Sequence, residues 1–172
     1  MNAHSRPERT EAAEYYFTYI DLVPDGDICE LLEVQIDDIT KLLGQVPRDR
    51  IDSRYAPDKW SIREVVGHLI DTERLFVLRA FWFARGFDTP LPSFDQHVAV
   101  QHAGSGERPW ESLVDEFLSL RRSTVLFFRH LPPGAWLRRG IASGNPFSVR
   151  ALAYMGVGHV THHANILRER YL

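Results

Sequence analysis

A single cysteine, Cys29, occurs in 172 residues, which excludes an internal disulfide and any cysteine-rich zinc knuckle. A metal site in this chain has to be built from nitrogen and oxygen ligands. Surplus positive charge is equally lacking: 20 Lys and Arg stand against 23 Asp and Glu, giving a formal net charge of −3. The basic footprint of a nucleic-acid binder is absent, and so is any long run of like charge. No apolar run approaches the roughly 20 residues that span a membrane. The opening Met1-Asn2-Ala3-His4-Ser5-Arg6-Pro7 is polar and has no hydrophobic signal core, so a cytoplasmic location is the expectation. Internal repeats, heptads, a P-loop, a Gly-rich dinucleotide loop and a nucleophile elbow are also missing, which removes the common nucleotide-binding and serine-hydrolase motifs.

What the chain does have is histidine, eight of them, in a composition of 44% hydrophobic and 25% charged residues. That balance fits one globular domain, residues 1–172, able to bury a core without covalent staples. The densest histidine group lies in the last amphipathic stretch, about residues 148–168, in Gly158-His159-Val160-Thr161-His162-His163. On a helix turning about 100° per residue, Leu152, Met155, Gly156, His159, His163 and Ile166 share one narrow arc. His159 and His163, one turn apart, therefore project from the core-facing stripe toward one point, a common way for a helix to offer a metal two nitrogens. His162 lies about 60–70° off the stripe and reads as flanking, with His159/His162 as the alternative pair. Two histidines on an apolar face are as often hydrogen-bonded core residues as ligands. Burying them without partners is costly, however, and a shared ion satisfies both. A zinc-like ion then needs a third ligand.

Capping signals divide the rest of the chain. Asp27, with Glu30 three residues on, reads as a capping box, and Ile28, Leu31, Leu32, Gln35, Ile36, Ile39, Leu42 and Leu43 follow at helical spacing until Gly44 and Pro47. Cys29 is then a small packed residue of the first turn. Ser61 and Glu64 form another box, with Trp60 and Val65 placed for a hydrophobic staple, and this second helix runs to Gly86. His68 falls within its apolar arc and is the third candidate ligand. A third helix opens at Pro109-Trp110-Glu111 and stops at Leu131-Pro132-Pro133-Gly134; Ser148 caps the last. Ahead of these, residues 8–24 form an aromatic arm carrying Tyr15, Tyr16, Phe17 and Tyr19, a short helix or an extended segment that should pack on the body. Residues 87–109 and 135–147 read as connectors. The expectation is an all-α four-helix bundle with long crossover connections and helices of about 27–36 Å. Gly156 and Gly158 mark places where a neighbouring helix or a ligand approaches the backbone near His159.

Two carboxylates are the catalytic candidates. Asp71 is three residues from His68, within reach as an acceptor that fixes its tautomer. Glu73 falls inside the apolar arc and reads first as the partner of an arginine such as Arg79, and second as a proton acceptor beside the metal. His97 and His102 sit in the 87–109 segment, which either crosses the bundle end or forms the wall of a pocket.

Lys59-Trp60-Ser61-Ile62-Arg63-Glu64-Val65, then Gly67-His68-Leu69-Ile70-Asp71-Thr72-Glu73-Arg74, then the late histidine cluster closely resemble the DinB/YfiT-like superfamily in its second DinB subdivision. The resemblance covers essentially the whole chain. It implies a four-helix bundle that holds a divalent metal through three histidines, carried here onto His68, His159 and His163, the positions the helical wheel also selects. Members with known roles are transferases and isomerases that use low-molecular-weight thiols such as mycothiol, bacillithiol or glutathione. Others are described as metal-dependent hydrolases. The resemblance therefore implies a metal-dependent transferase or hydrolase with an open coordination position and a small-molecule substrate, among them such a thiol. Zinc is the first choice of ion, with nickel or iron as alternatives; a homodimer is expected, and no nucleic-acid or membrane partner. The competing expectation is a noncatalytic metal-binding or structural bundle, which needs no cavity beside the histidines.

Overall fold

The computed structural model describes residues 4–172. The aromatic arm is a chain of tight turns: two 3-10 turns, Arg9–Glu11 and Glu14–Tyr16, then the one-turn helix α1 (Phe17–Ile20). Phe17 and Ile20 are buried and Tyr16 packs against the core, whereas Tyr15 stays 62% exposed, so the arm's aromatics dock only in part. Helix α2 (Ile28–Gly44) starts at Asp27, whose carboxylate accepts from the backbone N–H groups of Cys29 and Glu30. The reciprocal bond from Glu30 that a capping box requires is not formed among the described residues. In helix α3 (Ile62–Ala84) the box is complete, Ser61 Oγ accepting from Glu64 N and Glu64 accepting from Ser61 N.

The connectors carry structure that hydrophobic periodicity does not reveal. Residues 87–109 contain the helix α4 (Gln96–His102), capped by Asp95. Helix α5 (Trp110–Arg129) follows Pro109. Residues 135–147, expected as plain connector, fold instead into most of a hairpin, β1 (Arg139–Ala142) antiparallel to β2 (Asn145–Ser148). Its two-residue turn places Ser143 at φ 52° and Gly144 at φ 72°, the pair of positive values that a tight hairpin of matching twist demands. Helix α6 (Val149–Ile166) begins at Ser148, whose hydroxyl accepts from Ala151 N, and closes in a π-helical turn, Leu167–Tyr171. Among the described residues no helix is long and apolar enough to cross a membrane.

The long helices α2, α3, α5 and α6 form the expected four-helix bundle, and their order around it is not sequential. α3 packs on α5 and α6, and so does α2, which places α2 and α3 across a diagonal. α3 and α5 run in the same direction: Arg63 reaches the Arg108 carbonyl, Arg74 pairs with Glu116, and Glu73 pairs with Arg121. A chain leaving a 23-residue helix must therefore travel back roughly 34 Å before it can start a parallel neighbour. That return path is the 85–109 segment with α4.

Two apolar clusters fill the bundle. One joins the arm, the start of α2, the end of α3, the hairpin and residues up to Val157 of α6. The other joins the end of α2, the start of α3 and α5, and α6 from Val160 onward. Between them lies a layer of buried polar groups: His68, Thr72, Glu73, Arg121, Thr124, His159 and His163. Arg121, fully buried, pairs with Glu73 at 3.1 Å and donates to the Gly156 carbonyl at 3.1 Å. From the opposite side Gln35 donates to Val157 O and Thr161 Oγ1.

Of the two glycines near His159, Gly158 is the one that the packing requires. A Cβ there would lie 2.0 Å from the Tyr19 carbonyl oxygen, so α1 rests on bare backbone. At Gly156 the nearest atom is Arg121 Nη1 at 4.0 Å, an ordinary contact. Gly158→Ala is expected to lower stability by about 1–3 kcal/mol, the usual cost of forcing extra volume into a packed site, whereas Gly156→Ala should cost much less. Urea unfolding of the two variants checks the difference.

Candidate metal centre

His68 enters the polar layer from α3, and His159 and His163 enter it from the second half of α6, because all three lie on the stripes that bury. They are 1%, 4% and 8% exposed. Ring centroids are 4.9 Å apart for His68/His159, 4.9 Å for His68/His163 and 4.6 Å for His159/His163. One ring nitrogen of each lies within 4.8 Å of the others, and the Nε2 atoms of His68 and His159 face each other at 3.0 Å. Two nitrogens bound tetrahedrally at about 2.0–2.1 Å sit roughly 3.3 Å apart, so the group is already near ligand spacing.

The electrostatics favour bare imidazoles. Burial, reinforced by neighbouring histidines, depresses His68 to about 4, His163 to about 3 and His159 well below 6.5. All three are neutral at pH 7, the form that coordinates a metal. Thr72 assigns one tautomer. Its hydroxyl donates to the His68 carbonyl at 2.7 Å, leaving a lone pair toward His159 Nδ1 at 3.4 Å. With its proton on Nδ1, His159 aims the lone pair of Nε2 at His68. The Nδ1 atoms of His68 and His163 are buried without a hydrogen-bond partner among the described residues. Buried imidazoles lacking partners, with two nitrogens in close contact, are poor as a self-contained hydrogen-bond network and well arranged for a cation between them.

Aromatic rings pack around this point. The rings of Trp60 and His68 are 4.7 Å apart, those of Phe76 and His159 5.6 Å, and those of Tyr19 and His159 5.2 Å. Tyr19 exchanges a hydrogen bond with Tyr15 at 3.1 Å, and burial holds its phenol far above its usual titration range. A cavity of about 500 Å³, walled by Tyr15, Tyr19, Thr72, Phe76, Arg79 and His159 among others, opens on one side of the group. A second of about 230 Å³, walled by Trp60, His163 and Tyr171 among others, touches the group at His163. His97 and Gln96 of α4 border both.

The remaining candidates are placed elsewhere. Asp71 turns to the half-exposed surface 3.8 Å from Arg74, and among the described residues no hydrogen bond joins it to His68. Glu73 pairs with Arg121 and not Arg79, because α5 presents Arg121 to the same buried layer. His162 packs on Tyr19 at the edge of the group, and exposed His97 lies 5.6 Å from Trp60 at the cavity rim. His102 bonds its own helix at Val98 O. Cys29 is remote; burial and then the Asp27 charge push its thiol up to about 11, so it is protonated and unreactive at neutral pH. Thr72 and Arg79 are not singled out by motif, although each follows His68 at helical spacing on the same stripe.

The family model described as the DinB superfamily matches residues 31–167. The chain belongs to the DinB superfamily. Among solved structures it is similar to YfiT from Bacillus subtilis, described as a probable metal-dependent hydrolase with an unusual four-helix bundle topology. The TM-score is 0.74 at 16% identity, covering 98% of this chain and 95% of that one. It is also similar to a mycothiol-dependent maleylpyruvate isomerase, with TM-score 0.69 at 13% identity over 85% of this chain; that chain is longer, and 61% of it is covered. At these identities the likeness is one of fold. No curated protein matches the sequence.

The depressed histidines make the metal-free DinB-superfamily chain acid-sensitive. Their folded values lie below the ordinary 6.5, so the unfolded chain takes up protons first. Their contribution is complete above pH 6.5 and is lost as pH falls toward about 4 for His68 and about 3 for His163. Chelator-treated protein should lose at least about 2 kcal/mol between pH 7 and pH 5, read from urea unfolding. Equal stability at the two values contradicts the assignment.

Proposed function

We propose that this protein is a divalent-metal-dependent enzyme in which His68, His159 and His163 hold the ion and the larger cavity receives a small-molecule substrate. The observation that carries this reading is the convergence of three buried, neutral imidazoles, one of which, His159, lines that cavity. A noncatalytic bundle has no use for open space there. Three imidazoles suit zinc and leave a coordination position open. The chemistry such an ion supplies is Lewis-acid activation of a water or thiol nucleophile. The chain's residues do the rest: Thr72 fixes the His159 tautomer, Trp60 and Phe76 pack against His68 and His159, and the protonated Tyr19 hydroxyl is a donor near His159. The second cavity favours transfer over hydrolysis, because it reaches His163 where the larger one reaches His159 and so offers a second reactant its own approach. Since Cys29 is buried and protonated, a thiol nucleophile has to arrive as a substrate of low molecular weight.

Untagged protein prepared without added metal should contain about one equivalent of ion per chain, lost in His159→Ala and in His163→Ala. Wild type that stays empty after incubation with zinc and with nickel overturns the reading. On the loaded protein, turnover of electrophiles that depends on added thiol supports transfer, and turnover in water alone supports hydrolysis.

A further inference from the structure

Three arginines are buried to 2% exposure or less, and two of them have a carboxylate. Arg150 is clasped by Glu11, with Nε 2.7 Å from Oε2, and Arg121 pairs with Glu73. Arg79 is the exception. Among the described residues no carboxylate lies within 4.0 Å of it. Its Nη2 donates to Ser143 Oγ at 2.7 Å and, at the limit of a hydrogen bond, to Pro92 O at 3.5 Å, and the Tyr16 hydroxyl also interacts with it. Its Nε, like the Nε and Nη1 of Arg121, is buried with no hydrogen-bond partner among the described residues, so the lack of a carboxylate is what sets Arg79 apart. One hydroxyl, one phenol, a long carbonyl contact and the Phe147 ring 5.8 Å from its Cζ supply no counter-charge to a guanidinium that stays charged at any physiological pH. A mere clamp on the hairpin turn does not account for that.

Position supplies the missing partner. Arg79 lines the same cavity as Thr72 and His159, and Arg121 and Arg150 do not. Arg79 follows His68 by eleven residues on one helical stripe, about 16 Å along the axis, and its side chain leans back toward the helix N-terminus. The fixed positive charge of α3 and His159 of α6, the member of the histidine group that lines this cavity, thus address the same space. Asp95, the acidic residue in the cavity wall, is exposed and spends its charge on the N–H groups of His97 and Val98 at the start of α4. We propose that Arg79 binds a carboxylate of the substrate, so that the enzyme acts on a carboxylic acid whose reacting centre is several bonds removed from the bound carboxylate. This rests on the reading of the larger cavity as the substrate site. The planar fork of a guanidinium matches a carboxylate in two parallel hydrogen bonds, which fixes orientation as well as charge.

The test uses full-length protein, metal-free and zinc-loaded, with glutarate as probe, its neutral diamide as control and inorganic phosphate as competitor. Glutarate should shift the Arg79 Nε–H resonance in both forms, and Arg79→Gln should weaken its binding at least about tenfold while the metal content stays at the wild-type value. The diamide should not compete. An unmoved Arg79 resonance, or equal affinity in Arg79→Gln, means the acid sits on the ion alone and overturns the proposal. Phosphate displacing glutarate at lower concentration overturns the carboxylate assignment. If Arg79→Gln does not fold, the wild-type resonance decides together with Arg79→Lys, which keeps the charge without the fork and should bind several-fold more weakly. Glutarate bound at Arg79 of a protein that takes up no metal removes the metal reading alone. One equivalent of metal beside an inert Arg79 removes this one alone.

Discussion

A layer of hydrogen-bonding groups through the middle of an apolar bundle is the constraint from which the other features follow. Such groups are tolerated only when partnered, and here the partners come from all four long helices. Glu73 of α3 neutralises Arg121 of α5, and Arg121 in turn holds the Gly156 carbonyl. Gln35 of α2 holds the next carbonyl along α6. The backbone just ahead of His159 is thus pinned from two sides, which fixes the direction in which that imidazole points. The Nδ1 atoms of His68 and His163 have no hydrogen-bond partner among the described residues, and in the same layer Glu73 Oε1 and Arg121 Nε and Nη1 are left over as well, so it is the convergence of the imidazoles that marks the site.

The parallel run of α3 and α5 has a second effect. Antiparallel neighbours need a short turn, whereas parallel ones need a return path the length of the helix. In this chain that path carries α4 past Trp60, bridges to the hairpin at Leu91 and Ala142, and supplies His97 to both cavities. A topological requirement becomes a wall. The hairpin spans the bundle end between α5 and α6, an antiparallel pair that lies across the other diagonal, and its turn delivers Ser143 to Arg79.

Much of this was legible in the sequence because it depends on local spacing. The caps at Asp27, Ser61 and Ser148 and the stripe holding His159 and His163 are set by residues within one or two turns of each other. His68 lies on the buried stripe of its helix by the same periodicity. What was not legible depends on partners distant in the chain. Glu73 faces an arginine 48 positions later and not one six positions away, since α5 and not α3 completes that layer. Asp71 is within reach of His68 by spacing, yet its direction on the wheel takes it to Arg74 at the surface. The hairpin was hidden because its strands are four residues each and interrupted by Pro146, too short for alternation to register.

The arm is latched to the first turn of α6 by the Glu11–Arg150 pair and seated on Gly158 through the Tyr19 backbone. Burial alone would raise the Glu11 carboxyl, but the hydrogen bonds from Arg150 and Ser148 outweigh it and keep the latch charged. The arm lays Tyr15, Tyr16 and Tyr19 along the larger cavity, and all three precede residue 31, where the family match begins. The three histidines lie inside the match and these cavity walls outside it. The arm and the histidines thus stand on separate lengths of chain, and a change confined to the arm would reshape the cavity wall while leaving the three imidazoles where they are.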